Sequence, residues 1–534
     1  MVSTFTAAVL AALGLASSTP AGHAAQPASP TFFVKGHGWG HGVGMPQYGA
    51  YGYALHGWTH ERIVAHYYAG TALGQAQLRK VRILLVPGSK TIAVSSRSPF
   101  SVRDAAGKVH KLPAGSQTLG PALKLKVVAA KQPKVLPGPL VFSPGADPLS
   151  LGSRSYRGSF RVTAKGSALR VVNTVGLEPY LWGVVPSEMP DRWPAEALQA
   201  QAVVARTYAL AHLHGGDFDL YPDTRSQVYR GIAAESPPAS DAVNQTAGEV
   251  VTYKGKPANT FFYSSSGGKT ANVQDVWPKS DPVPYLVSVA DPYDTLSPYH
   301  DWGPLRFTPA LLARRLHSPG LLLDLRPDVG TSGRVRSLTV VGLNGQRTLS
   351  GSDVRRALGL RSTWFTIGML SLTPPAAPVV FGTEAKLAGI ARGLSRVTLE
   401  SRAYGGQWKP LAPLVPKSGQ IAATLTPKVS TAYRLSAGGI RSGAVQLSVA
   451  PLVRIFVSAD RFSVTGLARP VLSGSSVQIQ KLAQTGWTTV AQTKTGADGN
   501  FSASVDVTPG AYRARVVPGR GFAPGVSKML KVTA

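Results

Sequence analysis

From Ala195 to Leu210 the chain reads AEALQAQAVVARTYAL, a run of strong helix formers, and it is the clearest long helix in the 534-residue sequence. Pro194 stands where a helix favours proline, at its first position. Glu196 lies in the first turn, where the helix dipole favours a negative charge. The small side chains Ala197, Ala200, Ala202 and Ala205 let such a helix pack closely against its surroundings. Gln199, Gln201 and Arg206 are the polar groups inside this apolar run. A buried Gln or Arg needs partners, so at least one of them is expected to point into a site. Just upstream, Pro186-Ser187-Glu188-Met189-Pro190 reads as a turn carrying a lone acid. Glu188 is either a solvated loop carboxylate or a member of a site.

The rest of the chain reads mainly as strands and turns. With 57 Gly and 42 Pro, turns are frequent. Residues 78–180 contain short β-rich segments (VRILLVP, TIAVSS, LKLKVVAA, FRVTAKG, LRVVNTV), which predicts a β-rich lobe over about 78–175. Glu249–Tyr253 and Ala258–Tyr263, joined by Lys254-Gly255-Lys256, predict a hairpin. The hairpin runs into Ser264-Ser265-Ser266-Gly267-Gly268, which either turns N–H and hydroxyl groups towards a ligand or is a flexible turn. Before all of this lies Gly36–Ala50, GHGWGHGVGMPQYGA, whose glycines imply special torsions and close approach. A helix follows from about Thr59 to Ala69, stopped by Gly70. His37 and His41 can ligate a metal or line a polar cleft; without nearby acids the cleft is the better reading.

The length predicts several domains. Residues 372–378, LTPPAAP, form a linker by composition. Beyond it the pattern is all β and repeats: Trp408 and Trp487, like Tyr433 and Tyr512, stand 79 residues apart. This period predicts two tandem sandwich modules, 379–450 and 451–534.

Composition narrows the chemistry. There are no cysteines, which removes disulfides and thiol catalysis. The formal net charge of +30 implies an anionic partner. Residues 1–25 resemble a secretory signal, with an apolar Ala7–Ala16 segment and small residues before a cleavage point near Ala24 or Ala25. No later segment is long enough to span a bilayer. An exported basic protein meets anionic wall polymers rather than nucleic acid.

The stretch Tyr180–Ala209 resembles the signature of the SpoIID/LytB family of bacterial cell-wall proteins. Four further elements resemble the family: Ser226–Gly231, Ser264–Gly268 with Val276-Trp277, Leu358–Phe365, and Gly40–Ala50 with His66–Thr71. The resemblance covers about residues 32–366. It implies an α+β, β-rich catalytic domain (32–371); the two all-β sandwich modules that follow lie outside the resemblance and rest on the repeat. In many relatives the glycine-rich element closes the domain, whereas here it comes first. The N-terminal segment is therefore expected to pack beside the end of the 303–366 region and complete one cleft. Tyr263 stands where some relatives have a zinc-binding His, and Pro46 replaces a Ser. No metal and no cofactor are expected.

The resemblance implies a lytic transglycosylase acting on peptidoglycan glycan strands, with Glu188 as the single general acid and base. Arg206 would hold a muramic carboxylate or orient Glu188. Gln227, Tyr229, Ser264, Ser265, Ser266, His41, Gln47 and Tyr48 would contact the sugars. The alternative is a glycan-binding amidase enhancer without catalysis, with a cell-wall amidase as partner.

Overall fold

The computed structural model describes residues 29–533, apart from 78, 129, 214 and 520; the signal-segment expectation lies outside the described residues. The protein is strand-rich, with few helices and many separate sheets. Among the described residues no helix is long and apolar enough to cross a membrane. The chain divides into two compact units, one built from Lys35–Pro304 and Leu312–Thr366, the other from the remaining segments including Ile367 onward.

In the first unit everything is arranged around the Ala195–Ala211 helix. Every residue from Ala197 to Ala209 is buried, so the helix has no solvent-facing stripe and forms the centre of the core. Pro194 is its N-cap, with extended ψ, rather than its first helical residue. The helix packs against Leu177–Glu188, Gln47–Leu55, His60–Tyr67 and Pro237–Gln245. Leu177–Glu188 corrects the expected turn. Pro186 lies inside that helix, in its last turn, so the helical hydrogen bond its missing N–H forfeits falls at the helix's end rather than its middle. The N–H of Met189 still reaches the carbonyl of Val185 at 2.9 Å, and the Ser187 hydroxyl donates to the carbonyl of Gly183. Glu188 is thus the last residue of a rigid helix, held in place from behind by a buried neighbour, Met189.

The β-rich region ahead of this helix forms an antiparallel six-stranded sheet and a four-stranded one. Its strand Ala168–Gly176 feeds directly into Leu177. The hairpin at Glu249–Tyr253 is present, turned by Lys254 and Gly255, both with positive φ. Its return strand is shorter than expected, only Lys256–Pro257. The later pair Phe262–Tyr263 instead runs parallel to Met45–Pro46, which brings the glycine-rich segment alongside the serine loop.

The glycine-rich segment is built into this unit. The N–H of His37 donates to the carbonyl of Trp364 at 2.9 Å, and that of Gly40 to the carbonyl of Arg361 at 3.1 Å. The first residues of the unit therefore lie against Leu358–Phe365, near its end. The glycines permit this closeness: at Gly44 (φ +77°) a Cβ would stand 2.1 Å from the carbonyl oxygen of Phe261.

In the second unit the described residues of 379–533 form strands and no helices, around two separate cores. One includes Leu399, Tyr433 and Leu435, and the other Ile479, Tyr512 and Ala514. The internal repeat is visible in side chains. The Arg434 guanidinium stacks 4.0 Å from the Trp408 ring centroid, and Arg513 stacks 4.2 Å from Trp487.

Candidate functional site

Glu188 opens onto a cleft of about 630 Å³ in the first unit, walled by segments distant in sequence. Trp39, Gly40, His41 and Gln47 come from the glycine-rich segment, and Thr224, Arg225 and Ser226 from the loop after the central helix. Phe261–Ser264, Trp277 and Arg355 complete the wall. Of the residues expected to contact sugar, the cleft brings together Glu188, His41, Gln47 and Ser264. Tyr48 stands next to Gln47, its ring 5.1 Å from that of Trp193.

The Glu188 carboxylate is half-buried. One oxygen accepts the N–H of Val228 at 2.8 Å, and the other the amide of Gln47 at 3.4 Å. Burial raises its pKa, and the Val228 N–H, the Gln47 amide and the Arg230 charge offset only part of the rise. The outcome is a carboxyl group that keeps its proton to higher pH than an ordinary glutamate.

His41 is pinned. Its Nδ1 accepts the N–H of Val43, so the proton sits on Nε2, which donates to the carbonyl of Phe262 at 3.0 Å. Burial, with smaller contributions from Arg355 and Arg334, lowers its pKa to about 3. It is therefore a neutral spacer holding the glycine loop to the Phe262 strand. His37 does not join it: its ring pairs with Asp301 and lies against Trp364.

Several expected sugar contacts are core residues instead. Arg206 is fully buried and makes a bidentate pair with Glu178 at 2.8 and 2.6 Å. Its other donors reach the carbonyls of Val243 and Glu249. This pair ties the two central helices together and does not face the cleft. Gln227 is also fully buried, accepting from the Tyr180 hydroxyl and donating to the carbonyl of Ala205. Tyr229 is buried with its hydroxyl on Asn173. Ser265 and Ser266 turn inward, because the wholly buried carboxylate of Asp294 needs donors. It receives the Ser265 hydroxyl and the N–H groups of Ser266 and Gly267, all at 2.8–2.9 Å, and also bonds His300.

A second buried acid, Asp291, accepts the Tyr67 hydroxyl at 2.9 Å. Burial above all, then the Asp294 charge, pushes its pKa from 3.8 up to about 7. The folded state therefore holds a proton that the unfolded chain has released. Stability from this group is full below about pH 4 and is lost as pH rises through about 7. The loss is on the order of 4 kcal/mol. Asp291→Asn should flatten that fall, seen as a smaller difference between urea midpoints at pH 5 and pH 8 than the parent shows.

Among the cleft residues that sequence reasoning missed are Trp39 and Arg355. Trp39 keeps 39% of its surface exposed and meets Tyr299 edge-on at 4.3 Å, with Arg361 over both rings. Arg355 lies on the Gly351–Leu358 helix. Trp39 carried a signal, as the one tryptophan in a glycine-rich run; Arg355 carried one only in its neighbours, since Asp353 is matched to Arg356.

A family model described as "Stage II sporulation protein" matches residues 165–253, the span holding Glu188 and the central helix. The chain is 33% identical over 242 residues to stage II sporulation protein D of Bacillus subtilis (strain 168), covering 41% of this chain and 68% of that protein. It is 33% identical to the protein of the same name from Bacillus amyloliquefaciens, over 36% of this chain and 60% of that one. To the amidase enhancer of Bacillus subtilis it is 42% identical, over 21% of this chain and 15% of the enhancer. The chain belongs to the SpoIID/LytB family. Among solved structures, a two-domain fibronectin type-III segment of chicken tenascin resembles 30% of the chain and is itself covered to 97%. The identity there is 15% and the TM-score 0.21, too slight a likeness to argue from.

Proposed function

We propose that this protein is an extracytoplasmic peptidoglycan-remodelling enzyme, a lytic transglycosylase whose single acid and base is Glu188. The observation that carries the reading is one raised-pKa carboxyl group at the wall of an aromatic-lined cleft, with no second carboxylate among the described residues lining it. Ordinary glycosidases need two carboxylates, one to protonate the leaving oxygen and one to supply or activate the nucleophile. One suffices when the substrate provides the nucleophile. Protonated Glu188 gives its proton to the glycosidic oxygen as the bond to C1 of the muramyl sugar breaks. The sugar's own 6-hydroxyl attacks C1, and its proton returns to Glu188. The products are a 1,6-anhydro end and a free 4-hydroxyl, with Glu188 restored and no water consumed.

A raised pKa suits a group that must be acid first and base second. Trp39, Phe261 and Trp277 supply apolar faces for sugar rings, and Gln47 and Ser264 polar groups for their hydroxyl and acetamido substituents. His41 holds the loop that carries them. The two all-β stretches 379–450 and 451–534 are read as tandem sandwich modules that retain the basic protein on anionic wall polymers.

Similarity to an amidase enhancer favours a second reading, in which the cleft binds glycan without cleaving it and stimulates a cell-wall amidase. Product analysis separates the two. Purified protein incubated with glycan strands, intact and peptide-free, should generate anhydro-muramic ends detectable by mass spectrometry. Absence of such ends on both substrates, with faster hydrolysis only when an amidase is added, would establish the enhancer instead.

A further inference from the structure

The cleft holds a second charged group whose role the reaction leaves open. Arg355 lines the same cavity as Glu188 and is half-buried. Its helix carries one acid, Asp353. The backbone N–H of Asp353 caps onto Ser350, and its carboxylate pairs with Arg356 at 3.4 Å. The other cleft arginine, Arg225, is already held by Asp223 at 2.7 Å. Among the described residues no carboxylate, carbonyl or hydroxyl bonds the Arg355 guanidinium. The other ionisable groups lining the cavity are Glu188, neutral His41, Tyr208 and Tyr263. Arg355 therefore presents a planar, partly desolvated cation with its donors unused, in a cleft whose one carboxyl group, Glu188, is needed for chemistry.

We propose that Arg355 is the specificity residue of the cleft, and that it binds a carboxylate carried on the sugar chain through a bidentate pair. This rests on the glycan reading above and gives it direction, because a carboxylate anchored at Arg355 fixes which sugar of an alternating strand faces Glu188. Three features carry it. A guanidinium matches the two oxygens of a carboxylate in one plane, which an ammonium cannot. A partly buried cation without a counterion is costly, and a docking anion removes that cost. The aromatic lining provides surfaces for a sugar ring but no further positive charge free to compete for the anion. The role expected of Arg206 thus falls to a residue 149 positions later in the chain, on another helix.

The test measures binding, so it does not depend on turnover. Full-length Glu188→Gln protein is titrated with glycan strands bearing free carboxylates and with the same strands amidated by carbodiimide. Each titration is repeated with Arg355→Gln and Arg355→Lys added. The parent should bind the carboxylate strands about 10- to 100-fold more tightly than the amidated ones. Arg355→Gln should erase that preference while leaving affinity for amidated strands unchanged, and Arg355→Lys should restore only part of it, with a steeper dependence on salt. Equal loss on both strands in Arg355→Gln, or a preference that survives it, would overturn the assignment. Failure of the parent to bind either strand would overturn the glycan reading itself. Correct binding without anhydro products would leave Arg355 in place and remove only the catalytic claim. Because Arg355 bonds no other side chain, its replacement leaves no orphaned partner, and an unchanged thermal transition will confirm that the fold is intact.

Discussion

Glu188→Gln should cut the rate of anhydro-end formation by about 10³-fold or more, with the fold and the affinity for strands retained. The substitution is nearly isosteric. The Gln oxygen can still accept the Val228 N–H that Glu188 accepts at 2.8 Å, and its NH2 can donate to Gln47 once the Gln47 amide turns its oxygen towards it. What vanishes is the proton. Neither step then has a donor or acceptor, and removal of a lone acid–base group costs at least the range of about 10²–10⁴ typical of such catalysis. The pH profile of the parent should agree in sign. The protonated form does the first step, so activity falls as pH rises through the Glu188 pKa. Burial has raised that pKa, so the fall comes later than for an exposed glutamate. A Glu188→Gln protein that still forms anhydro ends at the parent rate would remove Glu188 from the chemistry and with it the proposed mechanism.

How far the site could be read from the sequence depends on where each polar residue finds its partner. Glu188, Gln47, His41 and Ser264 were legible because the family signature marks their neighbourhoods, and the structure brings all four to one cleft. Arg206, Gln227, Ser265 and Ser266 lie in equally strong signatures, yet they face inward. Their partners are Glu178, Tyr180 and Asp294, 28 to 47 residues away. A signature records that a residue matters to the domain, and a buried polar group matters to folding as much as a cleft group does to binding. Sequence spacing cannot separate the two, because the deciding quantity is burial. The same limit hid Asp291 and Asp294, which read as ordinary loop acids but are wholly buried. The expected turn at Pro186–Pro190 failed for a different reason. Two prolines four residues apart read as a break, but the Leu177–Glu188 helix tolerates the first in its last turn and uses the second as its end. The helix Ala195–Ala211 and the β-rich lobe were legible because composition and alternation report backbone preference directly.

Deleting residues 35–73 should abolish folding of the first unit, although the deletion leaves Glu188 and the central helix intact. A dispensable leader would contribute surface. This segment contributes Val43, Met45, Ile63, Val64, Tyr67 and Tyr68, all at 1% exposure or less and all in the same core as the central helix. Loss of a single large buried side chain costs about 2–5 kcal/mol, and a domain is stable by about 5–15 kcal/mol in total. Removing six such side chains exceeds that margin before any hydrogen bond is counted. The bonds go further, because the hydroxyl of Tyr68 holds the carbonyl of Phe261, and Glu196 in the central helix's first turn accepts the backbone N–H of His60. Without the segment, Glu188 also loses Gln47, and the cleft loses the wall formed by Trp39 and His41. The deleted protein should show no protection of the central-helix amides in hydrogen exchange, whereas the strands after Ile367, in the other unit, should stay protected. Full protection of Ala197–Ala209 in the deleted protein would show that the segment is accessory. It would also break the link between its early position in the chain and its place in the core.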